Sequence, residues 1–303
     1  MTLRFASESD IDQCRKIHQR FGTTYYYSTL RFPKRIQWRV HAIYAFVRVP
    51  DEWVDNPGNL TIAERLALLH DWREQLGRGL NGERPEHFAM RAFCDAVVEC
   101  RIPVEEAFMF LDAMEMDLTK TRYETYQDLR EYMRGSASAI GVMMCYAMCA
   151  RTDSDTIARA KALGEAMQLT NFLRDIDEDL ARGRIYMPLE DMRRFGVTEV
   201  DLTARQVTEP FREMMRFEIA RARELYLTSD FGISKLPPKM RKAVLLSRLL
   251  YSQILNRIEA QGYDVFRQRA RTNSLHKLGC AVKVLLNDKR ILSKLVAESG
   301  VTN

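Results

Sequence analysis

The chain is poor in the residues that punctuate short elements: 14 glycines and 9 prolines in 303 residues. Strand-like alternation of apolar and polar residues is nearly absent as well. A sheet protein of this length needs frequent turns and period-two segments, so that class is excluded. The six cysteines form no C-x-x-C, and the five histidines form no H-x-x-x-H pair. A structural zinc site and a disulfide scaffold therefore drop out. Reduced, mostly buried thiols are expected, with Cys145 and Cys149, one helical turn apart in an apolar run, serving packing. No apolar run is long enough for a membrane span; the longest lies around residues 140–150. There is no dinucleotide fingerprint. The net charge of +5 is small and its Lys and Arg are spread along the chain, which argues against nucleic acid as a partner and suits an anionic substrate. The opening residues, MTLRFASESD, do not read as a signal peptide, so a cytoplasmic protein is expected.

What is present is helical periodicity. In 211–227, Phe211, Met214, Met215, Ile219, Ala222 and Tyr226 form one stripe, with Pro210 where a first turn accepts proline. The glycines and prolines gather in connections such as 56–58, 77–85, 183–196 and 232–238. This pattern predicts one all-α domain over residues 1–303, its helices packed around a central cavity.

Two segments carry chemistry. Tyr44, Arg48, Asp51 and Asp55 fall at i, i+4, i+7 and i+11. At ~100° per residue they stay within roughly 60° of one another, so one helix face bears an aromatic ring, a guanidinium and two carboxylates. About 120 residues later, Gln168, Asn171, Asp175 and Asp179 repeat the design, with Gly164 a turn earlier and Arg174 alongside. Solvated acidic faces would be the plain explanation. The neighbours Ala45, Phe46, Val47, Phe172, Leu173 and Ile176 are apolar, which argues for burial instead. Two buried acidic faces turned toward each other suit Mg²⁺, which takes oxygen ligands, keeps several waters and bridges carboxylates to phosphate oxygens. Diphosphate chemistry follows. Pro50 lacks the N–H that would bond the Phe46 carbonyl, so a kink just before Asp51 is expected.

These residues resemble the squalene and phytoene synthase family. Its first motif, Y-A-x-x-R-x-x-D-x-x-x-D, is matched by Tyr44 to Asp55. Its second, Q-x-x-N-x-x-R-D-x-x-E-D followed by G-R-x-Y-x-P, is matched by Gln168 to Asp179 and by Gly183 to Pro188. Met116-Asp117-Leu118, Arg122-Tyr123-Glu124-Thr125 and Gly262-Tyr263-Asp264-Val265-Phe266 resemble phytoene synthase stretches. The resemblance covers about residues 15–285. Where the family has a Ser-rich stretch, this chain reads Gly22-Thr23-Thr24-Tyr25.

The resemblance implies an all-α isoprenoid-synthase bundle and head-to-head condensation of two allylic diphosphates through a cyclopropyl intermediate. It implies Mg²⁺, with Mn²⁺ as a substitute, held by Asp51, Asp55, Asp175 and Asp179 with Asn171. Arg48, Gln168, Asn171, Arg174 and Tyr186 would contact diphosphate, and Tyr25, Tyr251 and Arg269 join that set. Tyr44 sits on the aspartate stripe, where a ring face could steady a carbocation; Tyr25, Tyr26, Tyr27 and Trp53 are further aromatic candidates. Geranylgeranyl diphosphate (C20) condensing to phytoene (C40) is favoured, with no NADPH. A C30 squalene or dehydrosqualene-type synthase using farnesyl diphosphate is the alternative. The runs 137–148 and 244–254 are the candidates for the tunnel floor that would set chain length. A non-catalytic assembly protein of the same fold would have lost acids, and none is lost here. Chain elongation or cyclisation would want DDxxD or an Asn-Ser-Glu motif, and neither occurs. Residues 275–292 combine apolar residues with Lys277, Lys283, Lys289 and Arg290, which suits either an interfacial helix at a membrane or an ordinary helix closing the bundle.

Overall fold

The structure, a computed structural model, describes residues 4–148 and 152–298; Cys149 lies outside the described residues. In chain order the helices are α1 (Glu8–Phe21), α2 (Thr23–Thr29), α3 (Lys34–Asp55), α4 (Ile62–Leu80), α5 (Phe88–Cys100), α6 (Val104–Met116), α7 (Tyr126–Met133), α8 (Ala139–Ala147), α9 (Ser154–Arg174), α10 (Ile176–Ala181), α11 (Leu189–Phe195), α12 (Glu199–Thr203), α13 (Glu209–Lys235), α14 (Pro238–Ala260) and α15 (Ser274–Glu298). A π-helical turn, Arg134–Ser138, joins α7 to α8. Among the described residues there is no strand. The all-α expectation holds.

Local chemistry sets the helix starts. Ser7, Thr61, Thr125 and Thr198 close capping boxes on α1, α4, α7 and α12, satisfying N–H groups that a helix start leaves bare. The stripe in 211–227 is buried as its periodicity requires, at Phe211, Met214, Met215, Ile219, Ala222 and Tyr226. α9 packs against α13, α8 and α14 to form the wall around which the cavity is built. Small residues permit that closeness. A Cβ on Gly141 would lie 2.4 Å from the Ala160 carbonyl oxygen, and one on Gly164 would lie 2.5 Å from that of Ala137.

α3 runs as one helix through Pro50, so Arg48, Asp51 and Asp55 stay in register across the proline. The second motif departs from the single-helix stripe that its spacing suggests. α9 ends at Arg174, and Asp175 leaves helical geometry at φ −105°, ψ 16° before α10 begins. The Asp175 N–H still donates to the Asn171 carbonyl and the Asp179 N–H to that of Asp175, both at 2.9 Å, so the bend preserves the facing of the acids.

The N-terminal end is tied down electrostatically. Asp10 is buried and takes two hydrogen bonds from Arg91 on α5, at 3.1 and 2.6 Å. The Arg91 hydrogen bonds, working against burial, hold its carboxyl down to about 2. A lowered folded-state value stabilises above the ordinary carboxylate range, and that stability is lost as pH falls toward 2. Asp10→Asn is therefore expected to cost about 2 kcal/mol at pH 7. The gap to the parent should shrink in urea melts near pH 2.5; an equal gap at both pH values would contradict this.

Candidate active site

One cavity of about 860 Å³ opens between α2, α3, α8, α9, α10, α13 and α14. All thirteen candidate residues line it: Tyr25, Tyr44, Arg48, Asp51, Asp55, Gln168, Asn171, Arg174, Asp175, Asp179, Tyr186, Tyr251 and Arg269. Residues from 25 to 269 thus converge on one space, with the acids gathered toward one part of its wall.

The two acidic motifs meet through arginine. Arg182 lies 3.6 Å from Asp179 and 4.0 Å from Asp55, bridging the ends of α10 and α3. Arg184 donates to Asp55 at 2.5 Å and to the carbonyls of Val54 and Asp117 at 3.4 and 3.2 Å. The local chain explains its aim. Gly183 takes φ +76°, a region open to glycine, and the Arg184 N–H then returns to the Asp179 carbonyl at 2.8 Å. On the other side Asp175 is clasped by two guanidiniums: Arg174 at 2.7 and 2.5 Å, and Arg269 at 2.8 and 2.8 Å. Arg48 pairs with Asp51 and Glu52.

Electrostatics sort these acids into two kinds. Burial pulls Asp175 upward, but the hydrogen bonds and charges of Arg174 and Arg269 hold it below its ordinary range. Asp51 goes the other way: burial in the cavity wall, then repulsion from Asp55, pushes it up to about 7 against the pull of Arg48. Its side chain, 35% exposed, lines the cavity. Burial and Asp175 push Asp179 up to about 8. Carboxyls crowded in this way are short of positive charge, which is what a divalent cation supplies. Asn171 adds a second sign. Its Oδ1 is buried without a partner, although its Nδ2 donates to Gln168 at 3.3 Å. An orphaned oxygen beside the acids fits a cation's need for oxygen ligands. Among the described residues no three acids close into an all-protein cage.

The structure also brings in residues whose place the motifs did not announce. Asp117 is buried, accepts from Tyr132 at 2.5 Å and from Tyr186 at 3.0 Å, and is raised by burial to about 6. The Tyr186 hydroxyl is thus committed to Asp117 while its ring stacks on Phe172 at 4.2 Å. A buried histidine pair backs Tyr44: His18 stacks on its ring at 4.1 Å and shares a hydrogen bond with His41, Nδ1 to Nδ1, at 3.0 Å. Burial, with Arg15 and Lys34, lowers His41 to about 4, so one neutral ring donates and the other accepts. Gly22 is required here, since a Cβ would meet Tyr44 and His18 at 2.7–2.8 Å. Of the other aromatic candidates, Tyr26 and Tyr27 engage Arg15 and Arg31, and Trp53 packs edge-on against Trp72 at 5.5 Å; none of the three lines the cavity.

Much of the remaining lining is apolar, with Thr156, Arg159, Ser229 and Ser247 set among it. Ala137, Ile140, Gly141, Met144 and Met148 come from the first proposed floor segment, and Val244, Ser247 and Ile254 from the second. A charged, arginine-rich part and a greasy part in one cavity suit an amphipathic substrate with an anionic head.

Comparison with known proteins agrees with this geometry. Residues 18–276 match the family described as squalene/phytoene synthase. A phytoene synthase from Arthrospira platensis is 35% identical over 288 residues, covering 91% of this chain and 92% of its own. A 15-cis-phytoene synthase from Synechococcus elongatus is 34% identical over 286 residues, with the same coverage. Among solved structures, a dehydrosqualene synthase in complex with a ligand superposes with a TM-score of 0.85 at 29% identity, covering 93% of this chain and 98% of that one. A squalene synthase from Alicyclobacillus acidocaldarius gives 0.76 at 31% identity, covering 84% and 95%. The chain therefore belongs to the squalene/phytoene synthase family.

Proposed function

We propose that this enzyme joins two geranylgeranyl diphosphates head to head to give phytoene, the C40 hydrocarbon of carotenoid biosynthesis, acting over residues 1–303 as one unit. The observation that carries this reading is the convergence of both acidic motifs and their arginines on one cavity that also carries apolar side chains from α6, α8, α9 and α14. The phytoene synthases among the relatives favour the C20 substrate.

Asp51, Asp55, Asp175, Asp179 and the Asn171 Oδ1 would hold Mg²⁺, or Mn²⁺ in its place; when bound, the ion neutralises diphosphate and assists its departure. Arg48, Arg174 and Arg269 add fixed positive charge, and bidentate guanidiniums match phosphate oxygens. For Asp175 to serve such an ion and for Arg174 and Arg269 to reach phosphate, their clasp on Asp175 would have to open. Loss of diphosphate leaves an allylic cation, and attack by the second prenyl double bond, with loss of one proton as the three-membered ring closes, forms a cyclopropyl diphosphate. The rings of Tyr25, Tyr44 and Tyr186 line that space, and an aromatic face steadies a cation by roughly 0.5–2 kcal/mol. The apolar wall keeps water from trapping it. A second ionisation, rearrangement and proton loss complete the product without NADPH.

A C30 product from farnesyl diphosphate is the second reading, favoured by the names of the similar solved structures. Incubation with Mg²⁺ and either C15 or C20 diphosphate, without NADPH, separates the two. A C40 hydrocarbon from C20 alone is expected. A C30 hydrocarbon from C15 would move the chain length, and no hydrocarbon from either would overturn the reading.

A further inference from the structure

α15 is built in two halves, broken at Asn287, where φ is −134° and ψ is 25°. Its inner face is ordinary core. Ala281, Val284 and Leu292 are buried, and Asp288 is held by Arg241 at 2.7 Å. Its outer face is not. Leu275, Leu278, Val282, Leu285 and Leu286 are all exposed, Leu275 to 81% and Leu286 to 76%. At ~100° per residue they lie within roughly 100° of one another, a single stripe along the first half of the helix. Of the eleven large apolar side chains left exposed among the described residues, five lie on this stripe. Scattered apolar surface is normal, but a concentration of this kind marks an interaction face.

Charge says what the face meets. Residues 265–298 carry eight Lys or Arg against two acidic residues, a surplus of six where the whole chain has five. The remainder of the protein is close to neutral, so the net positive charge of the molecule resides here. Lys283, Lys289, Arg290 and Lys294 are exposed alongside the stripe. Position adds a third observation. Arg269, Ala270, Arg271, Thr272 and Lys277, which lead into and begin α15, line the catalytic cavity. The stripe starts at the cavity's own rim.

We propose that the outer face of α15 docks this enzyme on an anionic lipid bilayer, the leucine stripe sunk at the interface, the lysines against lipid headgroups and the cavity rim turned to the membrane. An amphipathic helix with a basic border binds in this way through apolar burial and attraction to anionic headgroups together. A second copy fits the face poorly. A two-fold contact would set the basic surplus against its own image, and five side chains fall well short of the ~800 Å² per partner of a stable interface. The use of such docking, taking up and releasing a greasy tail, rests on the function proposed above. The docking itself does not, and it is measured without substrate.

Flotation of the full chain with vesicles tests it, using phosphatidylcholine alone or mixed with about one-third phosphatidylglycerol, in 0.1 and 0.5 M salt. The expected result is binding to the anionic vesicles, at least about 10-fold weaker in high salt or to neutral vesicles. Leu275→Gln with Leu286→Gln, and separately Lys283→Glu with Lys289→Glu, should each lower partitioning at least about 10-fold. Both variants should keep the parent's circular dichroism and its turnover in detergent. No flotation of the parent, flotation indifferent to phosphatidylglycerol, or variants that float like the parent would overturn the proposal. So would variants that merely convert a dimer to a monomer in sedimentation, which would assign the stripe to a second copy.

Discussion

Asp51→Asn and Asp175→Asn are each expected to lower kcat by at least about 10³-fold with the fold retained, because each would remove a charged oxygen from the metal and diphosphate site proposed above. Their effects on stability should differ in sign, and this separates a site role from a structural one. Asp51 is crowded by burial and by Asp55, so its carboxyl is raised to about 7. A neutral amide of the same shape relieves that repulsion, and the melting temperature should hold or rise. Asp175 is clasped by Arg174 and Arg269 and is lowered by them. Its replacement leaves two guanidiniums facing each other with only Glu178, 3.3 Å from Arg269, as a nearby counter-charge, and stability should fall by roughly 1–3 kcal/mol. Turnover measured over a Mg²⁺ titration, alongside thermal melts, reads both. Parent-like turnover with an unchanged Mg²⁺ requirement in either variant would remove that aspartate from the site.

Filling the far end of the cavity should change which substrate is used. α9 acts as a ruler. Asn171, Gln168, Met167, Gly164, Leu163 and Ala160 all line the cavity from this one helix. At 1.5 Å per residue, Ala160 lies about 22 Å along the axis from Asp175. Gly141, Leu163 and Gly232 line the wall there together with Thr156 and Arg159, and Ala160→Phe would occupy space that only the longer tail reaches. The ratio of kcat/KM for C20 over C15 diphosphate is expected to fall at least about 10-fold, since pocket discrimination per methylene is already 10-fold or more. The acids, a long way off beyond the end of α9 and on α3, should bind Mg²⁺ as before. An equal loss with both substrates would mean that the ring disturbs α8, which packs closely there through Gly141, rather than limiting chain length.

The site's composition was legible in the sequence because its residues repeat at helical spacing, and spacing survives without knowledge of the fold. Tyr44, Arg48, Asp51 and Asp55 share α3, and that alone places them on one face. The break at Asp175 was not legible, since nothing in Asn171 to Asp179 opposes a helix. Two guanidiniums, one from residue 269, claim that carboxylate instead. Arg182 follows the second motif as an ordinary charge. Arg184 stood in the matched G-R-x-Y-x-P stretch, but its partner was hidden, since only the turn at Gly183 aims it across at Asp55. Asp117 stood in a quoted stretch, but its partners Tyr132 and Tyr186 lie 15 and 69 residues away. The His18–His41 pair bridges α1 and α3 and shows no local pattern at all. Pairings between elements depend on packing, which periodicity does not encode.

The central claim is that both acidic motifs hold metal and diphosphate at one end of a cavity whose other end holds the tail. Crystals grown with Mn²⁺ and an unreactive thio-analogue of geranylgeranyl diphosphate test it most directly, by the anomalous signal of the metal. The account expects ions within about 2.1 Å of aspartate oxygens on α3 and at the α9–α10 junction, bridged by diphosphate oxygens. It expects the tail to run along α9 toward Ala160. Metal away from Asp51, Asp55, Asp175 and Asp179, or a diphosphate seated elsewhere in the cavity, would contradict it.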